Sequence, residues 1–553
     1  ALAESCTGFS LSNCEVAFAD NISAEICNCI SKASAQYITV LKAGDIYSEN
    51  AFSAVYHYFA DAEDATDTVG IRIENQNKIY NKYNEALSQK TINLSEKSKA
   101  FPRNLSALFI KSDTAKKKAA LHDNFFDEQM FIMDVLENNK RFGAVASVYV
   151  KPLDAEKTVF TAQMFKNNLE KILDYVKNAY CRIGFIPSYM QNYIMAEIMK
   201  MLNHSENIME SFHPISCDYS EMWNTLSVLL QYVCDQIIYV YDTARFNKLF
   251  LLAIKHKHYC TVSETENGAV VAYNDVLLYN LSEFASKIEL VSIKNRKLII
   301  EGVCRYPSCI DHEKISVWTE INGIPAEAEQ VKRYTDKYFY DKQYIYEKGF
   351  KAEIPLNAER VEIKLVTGYE NHRWHCGSFQ YSIVSAVSDE VSGSYYYKDG
   401  FAVMADATSL LCFACDEQKY QMLEAEFRRQ IKAAEPQRYN QITAIRDYYF
   451  KNSPEKKKQI WLIMDRPDRA DDNAEAFFRY MAERAEPDID LYFILSRKSE
   501  AYSKLSRIGK VIEPFSEEHK KLYTVADYMI SSQMAESTIN PFNNDLKYFR
   551  DLF

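Results

Sequence analysis

The stretch WLIMDRPDRADDNAEAFFRYM, Trp461 to Met481, decides how the C-terminal end of the chain is read. An apolar run, Trp461–Met464, ends on the charged pair Asp465 and Arg466. Asp471, Asp472 and Asn473 follow, ahead of an amphipathic segment. The apolar run reads as a buried strand, and the segment after it as a helix with an acidic first turn, which the helix dipole favours. Strand-like and helical runs then alternate: DLYFILS (Asp490–Ser496), AYSKLSRIG, VIEP, SEEHKKLYTVA and DYMISS (Asp527–Ser532). Short loops between them predict a doubly wound parallel sheet, with ligand chemistry at the carboxyl ends of its strands. Asp465 and Arg466 stand at such an end. A guanidinium there can grip a phosphate through two hydrogen bonds, so Arg466 is the phosphate-binding candidate and Asp465 its orienting partner. Asp472 or Asn473 is expected to cap the helix. His519, in SEEHKK on a predicted helix, is a candidate base or substrate contact, with a structural histidine as the alternative.

Upstream the pattern changes. From Val270 to Met404, short period-two runs (KIELVSIKNRKLIIEGVC, KISVWTEI, FKAEIPL, RVEIKLV, SFQYSIV) are separated by the turn signals KNRK, NG and GYENH, which predicts an antiparallel β-sandwich-like module. Glu426 to Asn452 reads as helix, and SPEKKK as a charged linker. Ala155 to His258 is nearly all helical, with apolar stripes at i, i+3, i+4 in AQMFKNNLEKILDYVKNAY and EMWNTLSVLLQYVCDQIIYVY. At the N-terminal end, SAEICNCISK reads as helix, AQYITVL as strand, KAGD as a turn and SENAFSAVYHYFA as a helix with Ser48 as its cap. GIRIEN and FGAVASVYV are further strands and FFDEQMFIMDVLEN a further helix, so this end has an α/β layer pattern.

The totals are those of a multidomain globular chain. At 553 residues, roughly 150 per domain suggests three or four domains. The chain is 47% hydrophobic and 25% charged, with only 14 Gly and 13 Pro, so disorder is not expected. A formal charge of −11, from 65 Lys and Arg against 76 Asp and Glu, argues against a protein that coats nucleic acid. The 13 cysteines are odd in number and lack framework spacing, so they read as reduced thiols. CFAC, Cys412 to Cys415, reads as buried small residues in a strand, with zinc or redox chemistry as the alternative. The 39 tyrosines can stack on sugars, or simply fill core and surface. No run reaches the roughly 18 apolar residues of a membrane span. The opening ALAESC lacks a starting Met and runs directly into core-like sequence, so the chain is expected to begin inside a domain.

Taken together, IWLIMDRPDRADDNAEAFFRYM, LYFILSRKS, FSEEHKKLY and YMISSQMAE…NPF resemble the CDP-glycerol glycerophosphotransferases, the teichoic acid poly(glycerol phosphate) polymerases. The N-terminal part resembles a second family, glycosyltransferase family 2, in ISAEICNCISKASAQYITVLKAGDIYSENAF, KAFPRNLSALFIKSD, FFDEQMFIMDVL and VASVYVKP. GFIPSYMQNYIM and GFKAEIPL resemble the helical extension and linker module of fusions between the two.

The resemblance implies an α/β multidomain fold. A partial GT-A domain would span residues 1–154, a helical extension 155–262, an all-β module 263–405 and a helical linker 406–455. The first Rossmann-like half of a GT-B fold would span 456–553. It implies a transferase of bacterial cell-envelope polymer synthesis, making teichoic acid or capsular polysaccharide. Its donors would be CDP-glycerol, a nucleotide sugar, or both, and its acceptor a lipid-linked glycan or polyol-phosphate chain. It would sit at the inner face of the cell membrane, with no nucleic acid partner. Such a sugar transferase holds a divalent Mg²⁺ or Mn²⁺ on paired aspartates at a strand end. Here the turn reads Lys42-Ala43-Gly44-Asp45, so Asp45 is the one metal-ligand candidate, and Lys42 can offer its own charge to a diphosphate. The acid at the start of the FFDEQM helix would be the general base, which makes Asp127 and Glu128 the catalytic candidates, with Gln129 as a competing register. An acidic first turn that only stabilises its helix is the alternative. The CDP-glycerol site and its histidines would lie beyond Phe553, so the chain is expected to be an internal piece of a larger bifunctional enzyme. The competing class is a catalytically degenerate scaffold that binds glycan or membrane.

Overall fold

A computed structural model describes residues 24–42, 44–61, 66–74, 80–122, 127–152, 161–203, 208–210, 218–265, 268–273, 276–283, 286–333, 336–406, 408–453, 457–533 and 535–553. The ALAESC opening, Ala43 of the KAGD turn, Phe125 and Phe126, and Pro454–Lys456 of the charged linker lie outside these residues. The chain divides into two compact units, Ala1–Tyr259 with Lys337–Tyr344, and Cys260–Asp336 with Ile345–Phe553.

The first unit is built on a mixed six-stranded sheet. Its order is Tyr37–Ile38, Leu108–Lys111, Thr68–Ile73, Arg141–Lys151, Ile46–Tyr47, with Thr91–Asn93 also paired to Arg141–Lys151. Thr68–Ile73 and Arg141–Lys151 run parallel at the centre. Val69, Gly70 and Ile71 are all buried, as expected of a strand covered on both faces. Gly70 lets Tyr83 lie against the sheet, since a Cβ there would come 2.5 Å from the tyrosine oxygen. The AQYITVL run contributes only Tyr37–Ile38 to the ladder, and the helix Ala51–Asp61 begins three residues beyond Ser48. The Ser48 hydroxyl accepts the Tyr149 N–H at 3.0 Å and fastens the turn to the central strand.

Helices Ala162–Ile183, Ser188–Asn203, Ser220–Leu230, Asp235–Val240 and Arg245–His256 follow; the EMWNTLSVLLQYVCDQIIYVY stripe is divided between the third and fourth, and Ile208–Glu210 is a short strand within the span read as nearly all helical. The first starts on a Thr161 cap and stops at Gly184, whose φ of +82° suits only glycine without strain. It is tied to helix Glu128–Leu136 through the buried Asp134. That carboxylate accepts from Tyr175 at 2.8 Å and Arg182 at 2.7 Å, and pairs with His122 at 2.9 Å. A buried acid with three partners is satisfied, and this one fixes where the Glu128–Leu136 helix stands.

In the second unit, the hairpin Ser286–Lys294/Lys297–Pro307 turns on Asn295 and Arg296, both with positive φ. A second turns on Asn322 and Gly323 between Ile315–Ile321 and Ile324–Glu327. Strands Phe379–Tyr381, Ser286–Lys294, Lys297–Pro307 and residues 345–355 form one sheet. Ile324–Glu327, Ile315–Ile321, Arg360–Tyr369, Leu410–Ala414, Phe401–Ala405 and Tyr395–Lys398 form another. The Tyr306 hydroxyl donates to Thr367 at 3.2 Å and joins the two sheets. The module is not wholly antiparallel, because Phe379–Tyr381 pairs parallel with Ser286–Ile288. Cys412 lies in strand Leu410–Ala414 and Cys415 just after it; both are buried, and burial pushes the Cys412 thiol up to about 12.

The stretch read as one helix over Glu426–Asn452 is two, Glu417–Ala434 and Tyr439–Asn452. Pro436 explains the break, since proline lacks an N–H and pushes the residue before it out of the helical region. Arg446 clamps the two helices to the C-terminal segment. It is 0% exposed, and its guanidinium bonds Glu424 at 2.5 Å, Asp551 at 2.7 Å and the Tyr548 carbonyl at 2.7 Å.

The C-terminal sheet is parallel, in the order Lys510–Ile512, Ile489–Ile494, Gln459–Met464, Tyr528–Ser531. Ile463, Phe493 and Leu495 pack on helix Asn473–Arg484 through Ala474 and Phe478. Leu462, Met464, Ile494 and Ile512 pack on the helix Glu517–Val525 through Leu522. Helices therefore cover both faces, and the strand order reverses between Gln459–Met464 and Tyr528–Ser531.

Replacing Arg446 by Met strands the Asp551 carboxylate, while Glu424 keeps Arg428 at 2.6 Å and Tyr395 at 2.7 Å; the change is expected to cost about 3 kcal/mol, read as a fall in the urea midpoint. Adding Asp551→Asn removes the stranded charge and should recover part of that loss.

Candidate functional site

In an open parallel sheet the crevice forms where strand order reverses, outside the carboxyl ends. Asp465 sits there, one residue beyond strand Gln459–Met464, and is 0% exposed. Its Oδ1 accepts from the Ala474 N–H at 3.0 Å and the Ser532 hydroxyl at 2.8 Å. Its Oδ2 accepts from the N–H groups of Asp472 at 3.2 Å and Glu475 at 3.1 Å. The carboxylate thus occupies the N-terminal end of helix Asn473–Arg484, a place that would otherwise attract an external anion. Asp472 is the cap by position but bonds only the adjacent Asn473 N–H, at 2.8 Å. Asp465 does not orient Arg466; its oxygens are committed to the helix and to Ser532.

Arg466 points elsewhere. The turn Arg466–Arg469 is closed by Arg466 N–H to Arg469 O at 3.2 Å and Arg469 N–H to Arg466 O at 3.4 Å. The Ser496 N–H donates to Pro467 O at 2.7 Å and ties this turn to the end of the next strand. The Arg466 side chain is 43% exposed, and its ion pair with Asp471 is long, at 3.8 Å. Arg469 pairs with Asp471 at 3.9 Å and Arg497 with Glu513 at 3.9 Å. Such long, exposed pairs are worth little, so these guanidinium groups keep most of their capacity for an anionic ligand.

His519 lies in the first turn of helix Glu517–Val525 and is 1% exposed. Its Nδ1 accepts the Phe515 N–H at 3.1 Å, which leaves the ring proton of the neutral form on Nε2. Nε2 has no hydrogen-bond partner among the described residues. Burial, and then the charge of Lys520, hold the imidazole down at about 4. A surface groove of about 440 Å³ beside this helix is lined by Tyr448, Tyr492, Glu517, Glu518, Lys521 and Leu522. No sequence signal pointed to it, because its tyrosines come from separate elements.

In the first unit the fold brings Lys42, Asp45 and Glu128 together. The Lys42 ammonium lies 2.5 Å from Glu128, whose other oxygen accepts the Leu105 N–H at 2.6 Å. Asp45 closes the turn, accepting the Lys42 N–H at 3.0 Å and the Ser106 hydroxyl at 2.5 Å. Asp127 is set apart from Glu128. It caps its helix by accepting from Gln129 and Met130, each at 3.0 Å, and pairs with Lys171 at 2.5 Å. Gln129 donates to the Arg103 carbonyl at 2.5 Å. Leu105 and Ser106 lie in the KAFPRNLSALFIKSD stretch of the resemblance but were not singled out from it, and Lys171 carries no motif.

These residues do not fit a divalent metal. Mg²⁺ and Mn²⁺ want several hard oxygens and no ammonium among them. Asp45 offers one carboxylate whose Oδ2 is already twice hydrogen-bonded, and Lys42 holds the nearby Glu128. Among the described residues no group of three His, Cys, Asp or Glu could hold a metal ion. None of the described helices is long and apolar enough to cross a membrane.

Residues 448–548, which include the parallel sheet and the Arg466 turn, match the family model described as CDP-Glycerol:Poly(glycerophosphate) glycerophosphotransferase. The match covers the C-terminal part of the chain. Over 94% of its length the chain is similar, at 24% identity, to the Minor teichoic acid biosynthesis protein GgaB of Bacillus subtilis (strain 168). It spans 60% of the length of that relative. Solved structures of S. aureus TarS align at 10% identity, with 72% of this chain and 73% of that chain covered at a TM-score of 0.30. TarS 1-349 in complex with UDP-GlcNAc aligns over 48% of this chain and 82% of that one, at 10% identity and a TM-score of 0.33. Likeness this slight carries nothing about fold or ligand.

Two outcomes follow from this geometry. Asp465→Ala leaves buried helix N–H groups and Ser532 without an acceptor and should cost about 3 kcal/mol in chemical denaturation, with Asp465→Asn intermediate. His519 titrates near 6.5 when unfolded and near 4 when folded. The unfolded chain binds the extra proton between those values, so stability is lost as pH falls from 6.5 towards 4, by about 3 kcal/mol in all. In His519→Gln this part of the pH dependence should vanish from denaturation curves taken across that range.

Proposed function

We propose that the chain is part of a transferase of teichoic acid synthesis. It moves glycerol phosphate from CDP-glycerol, a sugar from a nucleotide sugar, or both, onto a glycan or polyol-phosphate acceptor carried at the inner face of the cell membrane. The domain division is read as five segments, 1–154, 155–262, 263–405, 406–455 and 456–553, the first of GT-A type and the last the acceptor-side half of a GT-B unit. The observation that carries this reading is the glycerophosphotransferase match over residues 448–548 together with exposed Arg466 beside the crevice of the parallel sheet. With Asp465 filling the helix N-terminus, a phosphate is met by the Arg466–Arg469 turn, in keeping with an acceptor chain that carries phosphates along its length.

A second reading, a scaffold that binds glycan without transferring it, is favoured by one observation. Lys42 and Glu128 are paired with each other.

Transfer assays on the full-length protein separate the two. With labelled CDP-glycerol or nucleotide sugar and a polyol-phosphate acceptor, label should enter the polymer. Arg466→Ala should raise the KM for acceptor about tenfold with a smaller change in kcat, and Arg466→Lys should fall between. No incorporation from either donor would overturn the transferase reading in favour of the scaffold.

A further inference from the structure

We propose that the turn Lys42–Asp45 takes the diphosphate of a nucleotide donor without a divalent metal, and that Lys42 leaves Glu128 to do so. This rests on the nucleotide-donor reading above and names the group that replaces the metal. The observations are geometric. The metal implied for this turn does not fit, because one carboxylate and one ammonium stand where paired carboxylates would be needed. The ammonium is mobile in the useful sense, since the Lys42 side chain is 60% exposed on a flexible stem. Its partner is fixed independently: the Leu105 N–H holds the other oxygen of Glu128 at 2.6 Å, so the carboxylate stays in place when Lys42 departs. Asp45 is held as well, its carboxylate accepting from the Lys42 N–H and the Ser106 hydroxyl.

The exchange has a clear driving force. An exposed ion pair with a single carboxylate is worth little in water. A diphosphate offers the ammonium more charge and several acceptor oxygens. Tyr80 reports how closely these charges interact. Burial and the charge of Glu128 raise its pKa, while Asn104, Lys42 and Arg103 pull it back. Asp127 faces Lys171 instead and takes no part.

The consequence is an order of events. While the donor site is empty, Glu128 is neutralised by Lys42. Once a diphosphate has drawn Lys42 away, Glu128 can accept the acceptor hydroxyl's proton. The hydroxyl oxygen then bonds the sugar's anomeric carbon, the bond from that carbon to the diphosphate breaks, and the nucleoside diphosphate leaves with that electron pair. The base is thus exposed only when there is a donor to attack.

The test is calorimetric titration of the full-length protein with UDP, GDP and CDP in turn, in EDTA and again in Mn²⁺ or Mg²⁺. At least one nucleotide should bind in EDTA, with metal changing its affinity little. Lys42→Ala should weaken that binding about tenfold or more, and Lys42→Arg should retain part of it. Glu128→Gln should tighten it about three- to fivefold, by removing the competitor for Lys42. Asp127→Asn, the same charge change one residue away, should not tighten it to that extent. Binding that requires metal would overturn the proposal while leaving the donor reading intact, as would a Glu128→Gln variant that binds no tighter than the wild type. Absence of nucleotide binding in every condition would overturn both.

Discussion

The Asp465 carboxylate is the contact on which the C-terminal sheet depends. It ends one strand, holds the first turn of the following helix by its backbone N–H groups, and accepts from Ser532 at the end of the neighbouring strand. Helix start, central strand and last strand are thereby set at the one point where the strand order reverses. The same contact decides what the crevice can bind. A helix N-terminus attracts anions, and here that demand is met from within the chain. The positive charge left exposed beside it is that of Arg466 and Arg469, displaced outward on a turn that backbone hydrogen bonds hold closed.

Charge is handled differently elsewhere. Arg446 and Asp134 are buried and fully partnered, and each joins elements that are far apart in sequence. Such groups are costly to strand and poor candidates for exchange. The Lys42–Glu128 pair is exposed on one side and anchored on the other, which is the arrangement expected of a pair that can be broken by a ligand. The contrast between buried networks and half-exposed pairs separates charges that hold the fold from those available for chemistry.

Much of the fold was legible because it is local. The alternation after Trp461 predicts the parallel sheet, and Asn322-Gly323 and the KNRK turn predict their hairpins through backbone conformations that few residues accept. The failures have local causes too. The Glu426–Asn452 stretch reads as one helix by its apolar spacing, yet Pro436 divides it. Ser48 has the right chemistry for a cap, but its hydroxyl accepts from Tyr149, on the strand read from FGAVASVYV about a hundred residues away, a pairing no local pattern signals. In the same way Asp472 is the cap by position, while the capping itself is done by Asp465 from across the turn.

The sequence by itself determined the elements, their class and the residues with reactive chemistry, because periodicity, turn conformations and ionisable groups are properties of short stretches. It also carried the resemblance that the family match over residues 448–548 bears out. Only the tertiary structure decided which of those residues meet. Lys42 and Glu128 lie far apart in the chain yet share an ion pair, whereas Asp127, adjacent to Glu128, is turned to Lys171 instead. His519 is withdrawn into the interior, and Asp465 and Arg466, neighbours in sequence, have opposite fates. The physical reason is the same throughout. A charged group's role is set by what desolvates or pairs it, and those partners are supplied by distant segments that only folding brings into reach.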